Sequence, residues 1–417
     1  MTTVTAACNT STVRCNTSRV LRMLVDQSAP ASDSFDTLVR FASHQKAGDL
    51  FCSARADGYE ISMRCDGMLR ALGKVPREWG EKLIGYAKVE ARLDAAEHRR
   101  PQDGRIVVHD AGDRIDVRAS TMPTFYGEDL ALRLLDRRNQ VLEFNELGMT
   151  SGERSAVRAL IRQPHGLVLV SGAAGSGKTT TQYAILSELN DGTQKINTIE
   201  DPVEYDLEGI HQSQVNTRIG LDFSDLLPAV LRQDPDVIMV GEVRDSATAL
   251  TTLRAAVTGQ LVFATLHANS AAGAIHSMLG LGAHEYLLAG ALRGVIAQHL
   301  VRRICSQCTE SLDATARLTT FEDVRDHLPQ DLSPVLHQGR GCEKCLQTGY
   351  SGRVGLFEIL TMTPSITRLV EQRATPDLIE AQALRERMTP LRNRAKVAVA
   401  QGVTTLEEAM RVIDMQG

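Results

Sequence analysis

Residues 172–180 form a glycine-rich segment of a kind that can bind phosphate. They follow the spacing G-x-x-x-x-G-K-[ST] and comprise Gly172, Ala173, Ala174, Gly175, Ser176, Gly177, Lys178, Thr179 and Thr180. Glycines let such a loop curl until its backbone N–H groups and the start of the next helix point at a triphosphate. Lys178 would reach the β- and γ-phosphate oxygens, and Thr179 would ligate Mg²⁺. Because an apolar run precedes the segment and a helical pattern follows it, we predict a nucleotide site rather than a glycine-rich turn that binds nothing.

Two acidic segments follow, each at the end of an apolar run. Residues 198–205 are TIEDPVEY, with three carboxylates at Glu200, Asp201 and Glu204. Open α/β sheets bind ligands at the carboxyl ends of their strands, so this cluster is a candidate for positioning an attacking water, with a solvated acidic turn as the alternative. Residues 234–242 are DPDVIMVGE, a pattern that would bring the terminal carboxylate of Glu242 beside the Mg²⁺ shell.

A histidine ends the next apolar run. His267 lies in TLHANS, residues 265–270. A lone histidine is usually structural, but at this edge of a sheet it can contact a γ-phosphate and report the loss of that phosphate.

Four of the eight cysteines are paired at two-residue gaps, Cys305 with Cys308 and Cys342 with Cys345. Two such pairs supply the four soft ligands of a closed, structural Zn²⁺ site. Four unrelated buried cysteines are the alternative. The others lack this spacing, and we expect plain thiols at Cys8, Cys15, Cys52 and Cys65.

Length and composition restrict the class of protein. A chain of 417 residues should hold two or three domains, and 43% hydrophobic with 23% charged residues argues against coiled coil and disorder. The chain has 46 basic and 51 acidic residues, for a net charge of −5. Because proteins that bind nucleic acid usually carry an excess of basic residues, we expect no nucleic-acid partner. No apolar run approaches the roughly 20 residues of a membrane span, and no export signal is evident. We therefore expect a cytoplasmic protein, where paired cysteines favour metal over disulfide.

The elements that must position these residues follow from hydrophobic patterning. We predict an extension over 1–33, a small α+β domain over 34–138, a linker over 139–152 and a nucleotide-binding domain over 153–417 with a cysteine insert at 304–349. In the α+β domain we expect strands at 49–53, 59–65, 105–108 and 114–120 and a helix at 81–96. In the larger domain, strands at 167–171, 196–199, 237–240 and 261–265 alternate with helices at 179–189, 224–233 and 247–257. Such alternation predicts a parallel sheet covered on both faces.

The four motifs, in this order and at these gaps, resemble the Walker A, Asp box, Walker B and His box of the secretion ATPase superfamily. Within it the chain is most similar to type II secretion and type IV pilus assembly ATPases, from about residue 47 to beyond residue 358. The resemblance implies an α/β, RecA-like P-loop ATPase domain preceded by an α+β, PAS-like domain. It also implies that Glu204 activates water, Glu242 acts at the Mg²⁺ site and His267 senses the γ-phosphate.

The resemblance extends to the domain before the P-loop, whose arginines in this family reach into the nucleotide site. Arg105 and Arg118 match, with Arg133 as a further candidate; surface arginines in salt bridges are the alternative. The chain departs from the family at Gln298-His299-Leu300, where the family has Gln-Arg-Leu. Because only some thirty polar residues precede the α+β domain, we expect a short form without the long N-terminal docking domain that is usual in the family.

Together these features predict a cytoplasmic ATPase, peripheral at the inner membrane, that uses ATP and Mg²⁺ and carries structural Zn²⁺. The resemblance implies a homohexamer with each nucleotide between the two domains, working on an inner-membrane platform protein to assemble a type IV pilus or a type II secretion pseudopilus. Assembly ATPases of the family carry the tetracysteine element, whereas retraction ATPases typically do not. The alternatives are a pilus-retraction or DNA-translocating ATPase and, from another class, a nucleotide-dependent scaffold without turnover.

Overall fold

The computed structural model of the chain describes residues 29–110, 112–136, 142–312 and 335–414. By its internal contacts the chain divides into two compact units, Met1–Gln140 and Val141–Gly417. Each unit builds its own sheet. Most of the predicted extension lies outside the described residues, and residues 31–33 belong to a helix. None of the helices within the described ranges has the length and apolar character of a membrane span.

In its described residues, the first unit is a six-stranded antiparallel sheet with two helices packed against it, in the strand order β3-β2-β1-β6-β5-β4. Alternate residues of β5, including Ile115, Val117 and Ala119, are buried, as expected for a sheet with one covered face. The elements of this unit are α1 (Ala31–His44), β1 (Asp49–Arg55), β2 (Gly58–Cys65), β3 (Met68–Val75), α2 (Arg77–Glu90), β4 (Gln102–Asp110), β5 (Asp113–Thr124) and β6 (Gly127–Asp136).

The hydrophobic pattern did not predict two strands of this unit, β3 and β6. It predicted a helix over 81–96, whereas α2 spans Arg77–Glu90. The sequence of β6 is rich in residues that favour helices, yet Leu130, Leu132 and Leu134 are buried with the period of a strand. Pairing with β1 and β5 decides its conformation. Helix α2 ends at Glu90 because Arg92 takes a left-handed conformation, with φ of +58°.

The second unit contains a seven-stranded sheet in the order β15-β12-β7-β11-β10-β8-β9. Every neighbouring pair is parallel except β12 with β15, so the predicted α/β fold with a parallel sheet is confirmed, with one antiparallel edge strand added. The elements are α3 (Ser151–Ile161), β7 (Gly166–Ser171), α4 (Lys178–Leu189), β8 (Ile196–Glu200), β9 (His211–Gln214), α5 (Phe223–Leu231), β10 (Val237–Val240), α6 (Ser246–Thr258), β11 (Leu261–Leu266), α7 (Ala271–Gly280), α8 (Glu285–Ala291), β12 (Leu292–Ile304), β13 (Thr309–Leu312), β14 (Leu336–Gly339), β15 (Tyr350–Thr361), α9 (Pro364–Glu371), α10 (Pro376–Arg385), α11 (Leu391–Ala400) and α12 (Leu406–Asp414).

Two apolar cores cover the two faces of this sheet. On one face Leu253 and Met278 pack among residues of α6, α7 and the C-terminal helices. On the other face Val157, Tyr183 and Ile185 pack with strand residues. Strands buried on both faces must be apolar throughout, which explains the continuous runs seen in the sequence.

The cysteine insert follows β12. Within the described residues, β13 and β14 form a two-stranded antiparallel sheet. The central part of the predicted insert, residues 313–334, lies outside the described residues.

Two glycines of α2 give a paired test of how this helix packs on the first sheet. A Cβ at Gly80 would overlap the buried ring of Tyr59, whereas nothing lies within 4 Å of a Cβ at Gly85. We expect Gly80→Ala to lower the free energy of unfolding by about 1–3 kcal/mol through overpacking. Gly85→Ala should raise the free energy of unfolding by about 0.5–1 kcal/mol, because alanine favours helix.

Urea unfolding followed by tryptophan fluorescence measures both effects. Trp79 is the only tryptophan of the chain and is buried in α2, so its signal reports on the first unit. Equal effects of the two substitutions would contradict the packing of α2 on β2.

Candidate nucleotide site

A tight loop joins β7 to α4 and contains the glycines of the phosphate-binding segment. The loop turns at Gly172, Gly175 and Gly177, whose φ angles are +150°, +73° and +87°. Side chains strongly disfavour such angles. At Gly172 a Cβ would also overlap the backbone oxygen of Gln298 in β12. Glycine is therefore required here both by conformation and by packing.

Lys178, the first residue of α4, bends back over this loop. Its Nζ donates hydrogen bonds to the carbonyl oxygens of Gly172, at 2.8 Å, and Ala173, at 3.0 Å. The same Nζ lies 3.4 Å from Nδ1 of His267. Burial lowers the pKa of Lys178, and the charge of Glu242 opposes that shift. The loop therefore brings the charged Nζ of Lys178 next to the residues that follow β10 and β11.

Glu242, which follows β10, joins those strand ends. Its Oε1 lies 2.9 Å from Nε2 of His267, which follows β11, and its Oε2 lies 2.6 Å from Nη2 of Arg244. Burial raises the pKa of Glu242, but the hydrogen bond and charge of Arg244, with smaller effects of His267 and Lys178, bring that pKa below the ordinary glutamate value. An ionised carboxylate beside a phosphate loop is a suitable partner for a divalent cation.

The structure separates the three carboxylates of residues 198–205, which patterning treats as one cluster. Glu200, the last residue of β8, is buried and accepts hydrogen bonds from the side chains of Thr198, Tyr183 and Gln212. Burial, with the charge of Glu200, raises the pKa of Tyr183. Glu200 is thus part of an internal polar network.

The other two carboxylates face solvent. Asp201 lies 3.6 Å from Nη1 of Arg244, and Glu204 is exposed in the segment after β8. The backbone N–H of Glu204 donates to the hydroxyl of Tyr183 at 3.3 Å, so the buried network holds the segment that carries it. Asp201 and Glu204 both have the exposure that contact with a water requires, and Asp201 is paired with Arg244.

Gln298 of β12 is a site residue that motif reasoning did not assign. Its Nε2 donates to the carbonyl oxygen of Ser176 at 2.6 Å, and its side chain is 2% exposed. It therefore supports the phosphate loop from a strand far along the chain. Arg244 and Tyr183 are two further site residues that the motifs did not predict. Arg244 lies two residues after Glu242, whereas no local sequence pattern identifies Tyr183.

In the first unit, strand register aligns the three predicted arginines. Arg105 of β4 is directly opposite Arg118 of β5, and Arg118 is directly opposite Arg133 of β6. Residues directly opposite one another share a face of the sheet. Asp49 of β1 continues the row, and its Oδ1 lies 3.2 Å from Nε of Arg133. Like charges opposite one another repel, and the carboxylate of Asp49 offsets part of that repulsion at Arg133.

The four paired cysteines come together in the second unit. The Sγ atoms of Cys305 and Cys342, and those of Cys308 and Cys345, are each 3.8 Å apart, and all four lie within 4.8 Å of one another. Sulfur atoms at the corners of a zinc tetrahedron, each about 2.3 Å from the metal, are about 3.8 Å apart. The N–H groups of Cys342 and Gly349 also donate to Sγ of Cys345. This donor set therefore fits Zn²⁺.

The chain is similar to known proteins over most of its length. The family described as "Type II/IV secretion system protein" matches residues 25–411. The chain belongs to this family. Type II secretion system protein E of Aeromonas hydrophila is 41% identical over 93% of this chain and 76% of its own length. Type II secretion system ATPase E of Vibrio cholerae is 40% identical over the same shares.

Solved structures share the fold. The ATPase DotB of Legionella pneumophila superposes with a TM-score of 0.68, covering 93% of this chain and 96% of that one, at 19% identity. The pilus retraction motor PilT, solved with bound ADP, superposes with a TM-score of 0.62 at 27% identity, covering 90% and 96%. The chain is a member of the secretion ATPase superfamily and hydrolyses ATP.

The support that Gln298 gives to the phosphate loop can be measured. Gln298→Met keeps the volume but leaves the Ser176 carbonyl without its donor, which costs about 1–3 kcal/mol. We expect the KM for ATP to rise roughly 5- to 150-fold, because the loop loses its binding conformation.

Gln182→Met is the matched control. Gln182, in α4, is 1% exposed and its Nε2 makes no hydrogen bond within the described residues. Its replacement should leave the KM within about twofold in steady-state phosphate-release assays. A similar rise in both variants would show that any buried polar change near the loop has this effect.

Proposed function

We propose that the chain is a motor ATPase that powers assembly of a type IV pilus or a type II secretion pseudopilus through an inner-membrane platform protein. The observation that carries this proposal is the meeting of Lys178, Glu242 and His267 at the carboxyl edge of a parallel sheet. The type II secretion proteins among its relatives support the choice of apparatus. The protein works as a homohexamer that is peripheral at the inner membrane.

The site residues divide the chemistry among them. Backbone N–H groups of residues 172–180 bind the phosphates, and Lys178 moves from the loop carbonyls to the β- and γ-phosphate oxygens. Thr179 and Glu242 would hold Mg²⁺, which would neutralise charge on the phosphates when bound with ATP. His267 senses the γ-phosphate, since its ring already bridges Lys178 and Glu242.

Glu204 orients the attacking water and accepts its proton. Its exposure makes it accessible to water, and the Tyr183 hydroxyl holds its backbone. The neighbouring Glu200 is unsuited to this role because three side chains already donate to its carboxylate.

Arg105 and Arg118 stabilise the charge of the transferred phosphoryl group. Their alignment across β4 and β5 supports this role, because repulsion between them is relieved by an anion. Arg133 is the third member of the row, and its ion pair with Asp49 makes it a weaker candidate for direct contact.

Cys305, Cys308, Cys342 and Cys345 would hold Zn²⁺, which would fix the cysteine insert to the end of β12. Its role is structural, because four protein thiolates leave no open position on the metal. The cluster favours assembly over retraction, as the family resemblance implies.

Two substitutions test the hydrolytic assignment. Lys178→Ala should abolish turnover because the phosphates lose their bound cation. Glu204→Gln should lower kcat about 10²- to 10⁴-fold while nucleotide affinity stays within about threefold, because only proton transfer is lost. Phosphate release measures turnover, and a fluorescent ATP analogue measures binding.

Glu208→Gln serves as the control for the second change, since Glu208 is an exposed carboxylate in the same segment. It should retain the parent rate. A Glu204→Gln protein that releases phosphate at the parent rate would overturn the role of Glu204, and a fully active Lys178→Ala protein would overturn the site itself.

The zinc assignment predicts one zinc per chain in the purified protein, measured by mass spectrometry of the metal. Cys345→Ala should remove most of that zinc, because three thiolates bind it far more weakly, and should destabilise the end of β12. Cys52→Ala, which changes a buried cysteine of the first unit, should keep the full zinc content. Equal zinc in both variants is incompatible with the site.

A further inference from the structure

A buried carboxylate joins the starts of two helices in the second unit. Glu358 lies on β15 and is 2% exposed. Its Oε1 accepts a hydrogen bond from the N–H of Ala271 at 2.7 Å, and its Oε2 accepts one from the N–H of Leu391 at 3.1 Å. These are the first residues of α7 and α11. One side chain thus bridges two helix N-termini that are far apart in sequence.

The first of these helices begins where the His267 segment ends. Ser270, the residue before α7, accepts a hydrogen bond from the N–H of Gly273 and so caps the helix. Residues 267–270 therefore run directly from the histidine at Glu242 to the helix start held by Glu358. A shift of this segment would act directly on that hydrogen bond.

The second helix connects to α3, the first helix of the second unit. Arg394 of α11 places Nε 2.6 Å from Oε1 of Glu153, and both side chains are mostly buried. The other oxygen of Glu153 accepts from the N–H of Thr150, which caps α3. Helix α11 is therefore joined at one end to β15 and along its length to the start of α3.

Moving either helix start away from Glu358 is unfavourable in free energy. Burial raises the pKa of Glu358 above the ordinary glutamate value, although the two backbone hydrogen bonds lower it. Both bonds come from helix N-termini, whose partial positive charge stabilises an anion. If either helix start moved away, a buried carboxylate would lose one of the donors that compensate for its burial. The two helix starts are therefore expected to move together.

We infer that Glu358 is a positioning residue that makes α11 respond to the His267 segment, and so transmits nucleotide binding to the start of α3. The inference rests on the proposed role of His267 as the γ-phosphate sensor. It assigns a function in coupling to a residue that lies outside the four motifs and contacts none of the reacting groups.

Hydrogen exchange of the full-length protein, with and without Mg²⁺ and the slowly hydrolysed analogue ATPγS, tests this coupling. In the parent protein the nucleotide should slow exchange in peptides covering both residues 172–180 and residues 388–400. In Glu358→Gln the first peptide should still respond. The response of the second should fall by about fivefold, the factor expected for one hydrogen bond.

Glu408→Gln is the matched control. Glu408 of α12 is also a buried carboxylate, 5% exposed, and it accepts hydrogen bonds from the backbone and side chain of Arg302 in β12. The same substitution there weakens the C-terminal helices without touching α7, so both peptides should respond as in the parent. Loss of the α11 response in Glu408→Gln as well would overturn a specific role of Glu358.

Leu391→Pro provides a second variant should Glu358→Gln fold poorly. Proline is well tolerated at the first position of a helix and removes the backbone N–H donor, together with the buried leucine side chain. The α11 response should again be lost. An undiminished response in either variant, or a parent protein in which only residues 172–180 respond, would overturn the inference. If residues 172–180 do not respond at all, the proposed nucleotide site fails and this inference fails with it.

Discussion

Parallel pairing of β8, β10, β11 and β7 is the constraint on which the nucleotide site depends. Parallel strands end at the same edge, so the loops that follow them must meet there. Hydrogen bonds fasten these ends together: the N–H of Gly241 donates to Ile199, and the N–H of Val243 donates to Thr265. Glu242 is therefore held between two neighbouring strand ends, which is why it can meet His267.

The C-terminal part of the second unit supports this edge from β12 and β15. Gln298 holds the phosphate loop through the carbonyl of Ser176, and Glu358 holds the helix that follows His267. Both are buried, and both use their side chains to satisfy backbone groups that would otherwise be unpaired in the interior. The geometry of the catalytic loops is thus set by strands that carry none of the recognised motifs.

In the first unit, the register of antiparallel strands aligns the three arginines. In the second unit, the common edge of parallel strands brings the site residues together. Arg105, Arg118 and Arg133 come from three strands, and only direct cross-strand pairing aligns them on one face. Repulsion within this row of arginines is unfavourable, and the carboxylate of Asp49 offsets part of that repulsion through its ion pair with Arg133.

The sequence by itself determined the features that depend on neighbouring residues. The glycines of residues 172–180, the two cysteine pairs and the apolar runs of buried strands such as Val237–Val240 all follow from local conformation or ligand spacing, and the parallel α/β fold follows from their alternation. Strand β6 was missed because its local propensity favours helix, whereas pairing with β1 and β5 makes it a strand.

Only the tertiary structure decided which carboxylate of residues 198–205 is buried, which arginines share a face and which distant residues support the loop. The partners Tyr183 and Glu200 are 17 residues apart, Ser176 and Gln298 are 122 apart, and Ala271 and Glu358 are 87 apart. Contacts over such separations leave no local pattern, because they form only when the packing of the whole sheet brings the two segments together.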